Sequence, residues 1–237
     1  MSKPFQFKQF TIWQDRCAMK VGTDGVLLGA WTSVDNNPTT VLDIGAGTGL
    51  LALMLAQRCN AETIDALEID DVAYEQCVEN FEASPWGDRL FCYHAGLDEF
   101  YKEVDDTYDL IISNPPFYSE NVSSGDGSRD IARQNSSLPY EELLRCASEL
   151  LAEKGILSII VPFKEEQSLL QIGKSLGLYP KRITRVKGNP ASEIKRSLLE
   201  FAFQETRVSE DGLTIETNRH IYTSEYRELT KDFYLKM

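Results

Sequence analysis

The stretch ISNPPFYSE, Ile112 to Glu120, is an apolar run that ends in an asparagine, two prolines and a phenylalanine. An asparagine at the end of a buried strand holds a side-chain carbonyl oxygen at a fixed point. Pro115 adds a backbone carbonyl on a chain whose φ both prolines restrict, and proline lacks the N–H that would compete for a bound donor. Two acceptors so placed suit one chemistry. The exocyclic amino nitrogen of a purine has its lone pair delocalised into the ring, and acceptors aimed at its hydrogens favour the tetrahedral geometry in which it is a nucleophile. Phe117 can stack on such a base. Asn114, Pro115 and Phe117 are the expected catalytic residues; the plainer reading is that Pro-Pro merely ends a strand.

A second motif lies upstream. VLDIGAGTG sets Gly45, Gly47 and Gly49 at alternate positions where a strand turns into a helix. Glycine there lets the backbone bend sharply and approach a ligand closely, and the helix N-terminus offers free N–H groups. Glu68 ends the next strand, nineteen residues past Gly49, where a carboxylate can accept from both hydroxyls of a ribose. Asp43 stands just before the turn, suited to bracing the loop or accepting from a ligand ammonium. The sixth position of a dinucleotide fingerprint would be Leu50 rather than glycine, and no hydride transfer calls for Asn-Pro-Pro-Phe. S-adenosylmethionine is therefore the expected cofactor.

These residues need a scaffold. From Thr40 the chain alternates short β-rich apolar runs with helical patterns, the signature of an α/β fold with a mostly parallel sheet and helices on both faces. TVLDIG, TIDALEID, RLFCYHA, YDLIISN, ILSIIVP, LYPKRITRVK and KRSLLEFAF give seven strands, the last two as a candidate antiparallel pair at the sheet edge. GLLALMLAQRC and DVAYEQCVENFEA are helices, the second with Tyr74, Cys77, Val78 and Phe81 at helical spacing. PYEELLRCASELLAEKG is a helix with Gly155 as its stop, and FKEEQSLLQIGKSLG is another closed by glycine. Residues 118–137 are polar and rich in Ser and Gly, the pattern of a lid. Residues 1–39 precede the first strand of the sheet and are expected to cover the cofactor site; within them MKVGTDGVLLGAW turns at Gly22 to Gly25 into a short helix.

The 237 residues carry a formal net charge of −13, which argues against coating nucleic acid non-specifically. The charge is uneven, however. Residues 171–200 hold seven Lys or Arg against two Glu, and residues 1–22 hold four against one Asp. These runs are either solvated faces or a phosphate-binding surface, which would include Lys181, Arg182 and Lys187 and be joined by Arg129 and Arg133 of the lid. Five cysteines without CxxC spacing and two isolated histidines suggest neither a disulfide framework nor a metal site. The N-terminus has no signal-peptide core and no run approaches a membrane span, so a cytoplasmic protein is expected.

Taken in order, LDIGAGTGLLALMLAQR, LEID and SNPPF resemble the class I S-adenosylmethionine-dependent methyltransferases that carry an NPPF or NPPY signature. WQDRCAMKVGTDGVLLGAW, NFEASPW, SRDIARQNSSLPYEELL and KRSLLEF narrow the resemblance to the bacterial family that N6-methylates the adenine just 3′ of the anticodon in a valine tRNA, position 37. It runs across nearly the whole chain. It implies a Rossmann-like methyltransferase domain over 40–237 and a tRNA substrate, with no DNA, membrane or obligate protein partner. Gly45, Gly47 and Gly49 would line the methionine end of the cofactor, Glu68 its ribose, Leu97 or Asp98 its adenine, and Asn114 to Phe117 the target base. The same signature is shared by guanine-N2 methyltransferases of ribosomal RNA and by protein glutamine methyltransferases. A binding protein that keeps the fold without catalysis is the rival from another class.

Overall fold

The computed structural model describes residues 3–116 and 138–236. Phe117 and the expected lid, 118–137 with Arg129 and Arg133, lie outside the described residues. The chain opens with a small antiparallel pair, β1 (Phe5–Gln6) and β2 (Thr11–Ile12), followed by helix α1 (Thr23–Trp31). Strands and helices then alternate as β3 (Thr40–Ile44), α2 (Leu50–Arg58), β4 (Thr63–Glu68), α3 (Asp71–Glu82), β5 (Leu90–His94), α4 (Leu97–Glu103) and β6 (Tyr108–Ser113). Helix α5 (Tyr140–Leu150) leads into β7 (Leu151–Pro162), and α6 (Glu166–Ser175) into β8 (Tyr179–Lys187), β9 (Ile194–Ala202) and β10 (Ser209–Thr214). A last pair, β11 (Glu216–Asn218) and β12 (Ile221–Tyr222), precedes α7 (Ser224–Thr230).

The main sheet has the order β10-β8-β9-β7-β6-β3-β4-β5. Strand β9 pairs antiparallel with both neighbours and the other pairings are parallel. The sheet thus has eight strands where seven were expected. The added β10, SEDGLT, buries only Leu213 and lacks the apolar alternation by which a strand is recognised. It takes the edge, so β8 and β9, expected there, lie inside the sheet.

The central strands are apolar throughout because helices cover both faces. Helix α2 buries every residue from Leu50 to Ala56, since the sheet lies on one side and α1 on the other. A Cβ at Gly29 of α1 would stand 2.7 Å from the Met54 sulfur. Phe7, Phe10, Tyr226 and Phe233 join this cluster, so both ends of the chain close one face. On the other face α4, α5 and α6 pack against Leu157, Ile159 and Leu199. Each such Leu removed from water contributes about 2 kcal/mol. Among the described residues no helix is long and apolar enough to cross a membrane.

Gly155 is not the helix stop that the sequence suggested. Helix α5 ends at Leu150 and β7 begins at once, with Leu151 opposite Tyr108 and the next pair at Ile156 and Leu110. The intervening residues bulge outward, and Gly155 tucks beneath, where a Cβ would lie 2.8 Å from the Tyr108 carbonyl oxygen. Glycine is required by this approach of two backbones. Gly155→Ala is expected to destabilise the fold by about 1 to 3 kcal/mol, visible as a lower urea midpoint with an unchanged m-value.

Candidate active site

Strands β3 and β6 are neighbours, yet the chain leaves β3 toward β4 on one side and leaves β6 toward β7 on the other. At such a reversal the connections diverge and leave a crevice at the carboxyl ends of the strands. A cavity of about 920 Å³ lies there. Gly45 and Gly47 after β3, Glu68 at the end of β4, Leu97 and Asp98 after β5, and Asn114 and Pro115 after β6 all line it. The structure therefore gathers seven of the residues expected from sequence around one space.

The three glycines of the first turn divide their duties. All have positive φ, at 76°, 57° and 78° for Gly45, Gly47 and Gly49, a region costly for other residues. A Cβ at Gly45 or Gly47 would meet nothing within 4 Å, and both border the cavity. Gly49 does not line it: a Cβ there would stand 2.5 Å from Phe81 Cε1, so this glycine seats helix α2 against α3. Glu68 is buried, its Oε2 accepting from Gly47 N at 2.7 Å and its Oε1 from Asp70 N at 2.8 Å. Two backbone donors thus fix the carboxylate plane at the cavity wall.

Asp43 stands behind the loop rather than on the cavity. It is fully buried, Oδ2 accepts from Ala52 N at 3.2 Å, and Oδ1 has no partner among the described residues. Burial, opposed by the Ala52 N–H and aided by the Glu68 charge, pushes its pKa up to about 7. Across the cavity Asn114 is half-buried and Pro115 buried. Ser113 Oγ donates to the Ile44 carbonyl at 2.8 Å, pinning the end of β6 to the end of β3. Leu97 is buried and Asp98 exposed, the latter 3.7 Å from Lys102.

The fourth wall is Cys17 to Gly25 of the N-terminal segment. Its course is set by two buried polar residues of α3 that the sequence reading passed over. Asn80 Oδ1 accepts from Trp13 N at 2.8 Å, and its Nδ2 donates to Trp13 O and Thr48 O, both at 2.9 Å. Gln76 Oε1 accepts from Arg16 N at 2.9 Å. Their signal was polar residues four apart on the face that also carries Cys77 and Phe81. Cys17 faces the cavity, but burial and the carboxylates of Glu68 and Asp70 push its thiol up to about 12, so it is no nucleophile near neutral pH.

The basic run disperses. Lys181 and Arg182 lie near the amino end of β8, Lys181 at a register shift and Arg182 opposite Glu200, whereas Lys187 lies at its carboxyl end, on the edge that bears Asn114. Arg182 stacks 3.8 Å from the Trp31 ring centroid and pairs with the buried Glu200 at 2.9 Å. Arg185 grips the buried Glu166 at 2.7 Å and Arg196 holds Asp24 of α1 at 2.9 Å.

The proton affinity of Asp43 makes a prediction. Its folded pKa of about 7 exceeds the unfolded value, about 3.9 for a free aspartate. Between these values the native state holds a proton that the unfolded state has released, so this group lowers stability as pH rises from about 4 to about 7. Asp43→Asn does not titrate and is expected to gain on the wild type across that window, and on neither side of it, in paired denaturant titrations of the cofactor-free protein.

The family model described as Methyltransferase small domain matches residues 25–176. A protein of Flavobacterium johnsoniae named tRNA1(Val) (adenine(37)-N6)-methyltransferase is 63% identical over 98% of this chain and 100% of its own length. One of the same name from Bacteroides fragilis is 48% identical over 100% of both chains. Among solved structures, a "predicted O-methyltransferase" of Agrobacterium tumefaciens superposes with a TM-score of 0.68 at 19% identity, covering 89% of this chain and 96% of that one. The ribosomal protein L11 methylase of Lactobacillus delbrueckii gives a TM-score of 0.55 at 18% identity, covering 76% and 77%. These two likenesses confirm the Rossmann-like methyltransferase fold, and the full-length identities place the chain in the tRNA1(Val) (adenine(37)-N6)-methyltransferase family.

Proposed function

We propose that this chain transfers the methyl group of S-adenosylmethionine to N6 of an adenine in tRNA, position 37 of a valine tRNA being the target in the names of its relatives. The observation that carries this reading is the Asn114-Pro115 corner on the same cavity as the open glycine turn and the braced Glu68 carboxylate. The cavity fits the cofactor. Gly45 and Gly47 leave room above the turn, and Glu68 presents oriented oxygens to a ribose. Cys17 to Gly25 cover the site from the N-terminal side.

When bound, S-adenosylmethionine supplies a methyl group on a positively charged sulfur. The chain's part is to hold an adenine turned out of its stack. Asn114 Oδ1 and the Pro115 carbonyl accept the amino hydrogens and draw the nitrogen toward tetrahedral geometry. The proposed roles of Phe117, two residues past Pro115, in stacking on the base and of Arg129 and Arg133 in contacting the RNA rest on the sequence. Pre-set acceptors and a confined cavity supply alignment, and the departing proton passes to solvent. A tRNA substrate supports a cytoplasmic location.

The test is methylation of unmodified tRNA with labelled S-adenosylmethionine, followed by mass spectrometry of the nucleosides. N6-methyladenosine is expected; N2-methylguanosine or no label on tRNA would overturn the reading. Two variants separate the roles. Asn114→Ala should lower kcat roughly a hundredfold, the scale for one lost preorganised group, with cofactor affinity unchanged in calorimetry. Glu68→Ala should weaken cofactor binding by about 1.5 to 3 kcal/mol as ribose hydroxyls lose a charged acceptor.

A further inference from the structure

We infer that the sheet edge running from Asn114 past Phe163 and Lys195 to Lys187 is the track on which the RNA strand flanking the target base lies. This rests on the reading of the chain as a tRNA methyltransferase. Strands β6, β7, β9 and β8 are successive neighbours. Because β9 runs against the others, its first residues meet the last residues of β7 and β8, with Arg196 opposite Pro162 and Ile194 opposite Lys187. Phe163 follows β7, Lys195 is the second residue of β9 and Lys187 ends β8. At the usual strand spacing they stand about 5, 10 and 14 Å across the sheet from the strand that carries Asn114.

Each has the chemistry of a single-stranded polynucleotide contact. Phe163 is 39% exposed, on a turn that closes a strand buried from Gly155 to Pro162. A ring left in water beside the site is a stacking platform for a neighbouring base. Lys195 is exposed and Lys187 half-buried, and neither makes an ion pair among the described residues. The arginines of the same run are committed to carboxylates: Arg182 to Glu200, Arg185 to Glu166 and Glu210, and Arg196 to Asp24. On a chain of net charge −13, the cations not so committed at this edge are where a phosphate backbone meets least repulsion. Lys174 is different. It sits in the last turn of α6, which returns the chain to the opposite edge where β8 begins.

The experiment compares Lys187→Glu with Lys195→Glu as a double variant, Phe163→Ala, and Lys174→Glu, using a tRNA transcript and full-length protein. Binding is measured over a range of salt, with melting temperature and S-adenosylmethionine affinity as checks on folding. The double variant should bind tRNA at least tenfold more weakly and flatten the plot of log affinity against log salt by about 0.7 to 0.9 per lost contact. Phe163→Ala should weaken binding without changing that slope. Lys174→Glu should match the wild type. A double variant with wild-type affinity and slope, or an equal loss in Lys174→Glu, overturns the track. Wild-type protein that binds tRNA without methylating it refutes the function instead, and the binding comparison still decides the track.

Discussion

Three segments distant in sequence meet at the side chain of Asn80. It is fully buried, and its amide joins both polar groups of Trp13 to the carbonyl of Thr48 in the glycine loop. Losing one partner of such a bond strands a buried polar group, at a cost of about 1 to 3 kcal/mol. If the N-terminal segment lifts from α3, the Asn80 amide loses two of its three bonds inside the fold and keeps only the one to the loop carbonyl. Gln76, one turn earlier on the same helix face, repeats the bond with Arg16 N. From this staple the chain runs through Cys17 to Gly25 along the cavity, so two side chains of α3 that do not line the cavity set the course of the wall that does.

Electrostatics divide the molecule in the same way. Elsewhere its buried carboxylates are neutralised: Glu166 by Arg185 and the Ser197 hydroxyl, Glu200 by Arg182 and the Ser33 amide. At the cavity they are not. Glu68 takes only backbone N–H groups, and Asp43 keeps one oxygen without a partner among the described residues. Low-dielectric walls concentrate the resulting field. A cationic cofactor is drawn to that field, while a polyanionic substrate is met by the lysines farther along the same sheet edge. An acidic enzyme can serve both ligands because the two charges act in separate places.

The parts legible in the sequence were those whose signal is local. A strand, a glycine turn, an acidic residue at the next strand end and Asn-Pro-Pro after β6 each occupy a few consecutive residues, and the fold brings the strand ends together by rule. Asn80 and Gln76 were passed over because polarity in a helix is ordinarily a sign of exposure, and only the course of the N-terminal segment makes them interior. Gly155 reads as a helix stop in the sequence because its partner, the Tyr108 carbonyl, is distant along the chain. The basic run stays open in the sequence, as solvated face or phosphate-binding surface, because a count of charges is blind to strand direction. Lys181 and Lys187 are six residues apart along β8, about 20 Å at 3.3 Å per residue.

The reversal of β9 turns that separation into an arrangement. In an all-parallel sheet each strand must be followed by a crossover, and only carboxyl ends reach the edge where ligands bind. One antiparallel strand allows a hairpin there instead. Residues 188–193 form it, and Asn189 and Ser192 tie it through a backbone bond of 3.1 Å and two hydroxyl bonds of 2.9 and 3.0 Å. Lys187 stands at one foot, paired with Ile194, and Lys195 lies at the bulge between the paired residues Ile194 and Arg196. The parallel strands β3 to β6 thus supply turns whose backbone faces a small cofactor, and the reversed strand supplies cations on rigid backbone at a fixed distance from Asn114. A flipped base must arrive with its flanking phosphates already placed, and a ladder positions them with less loss of entropy on binding than a flexible arm would.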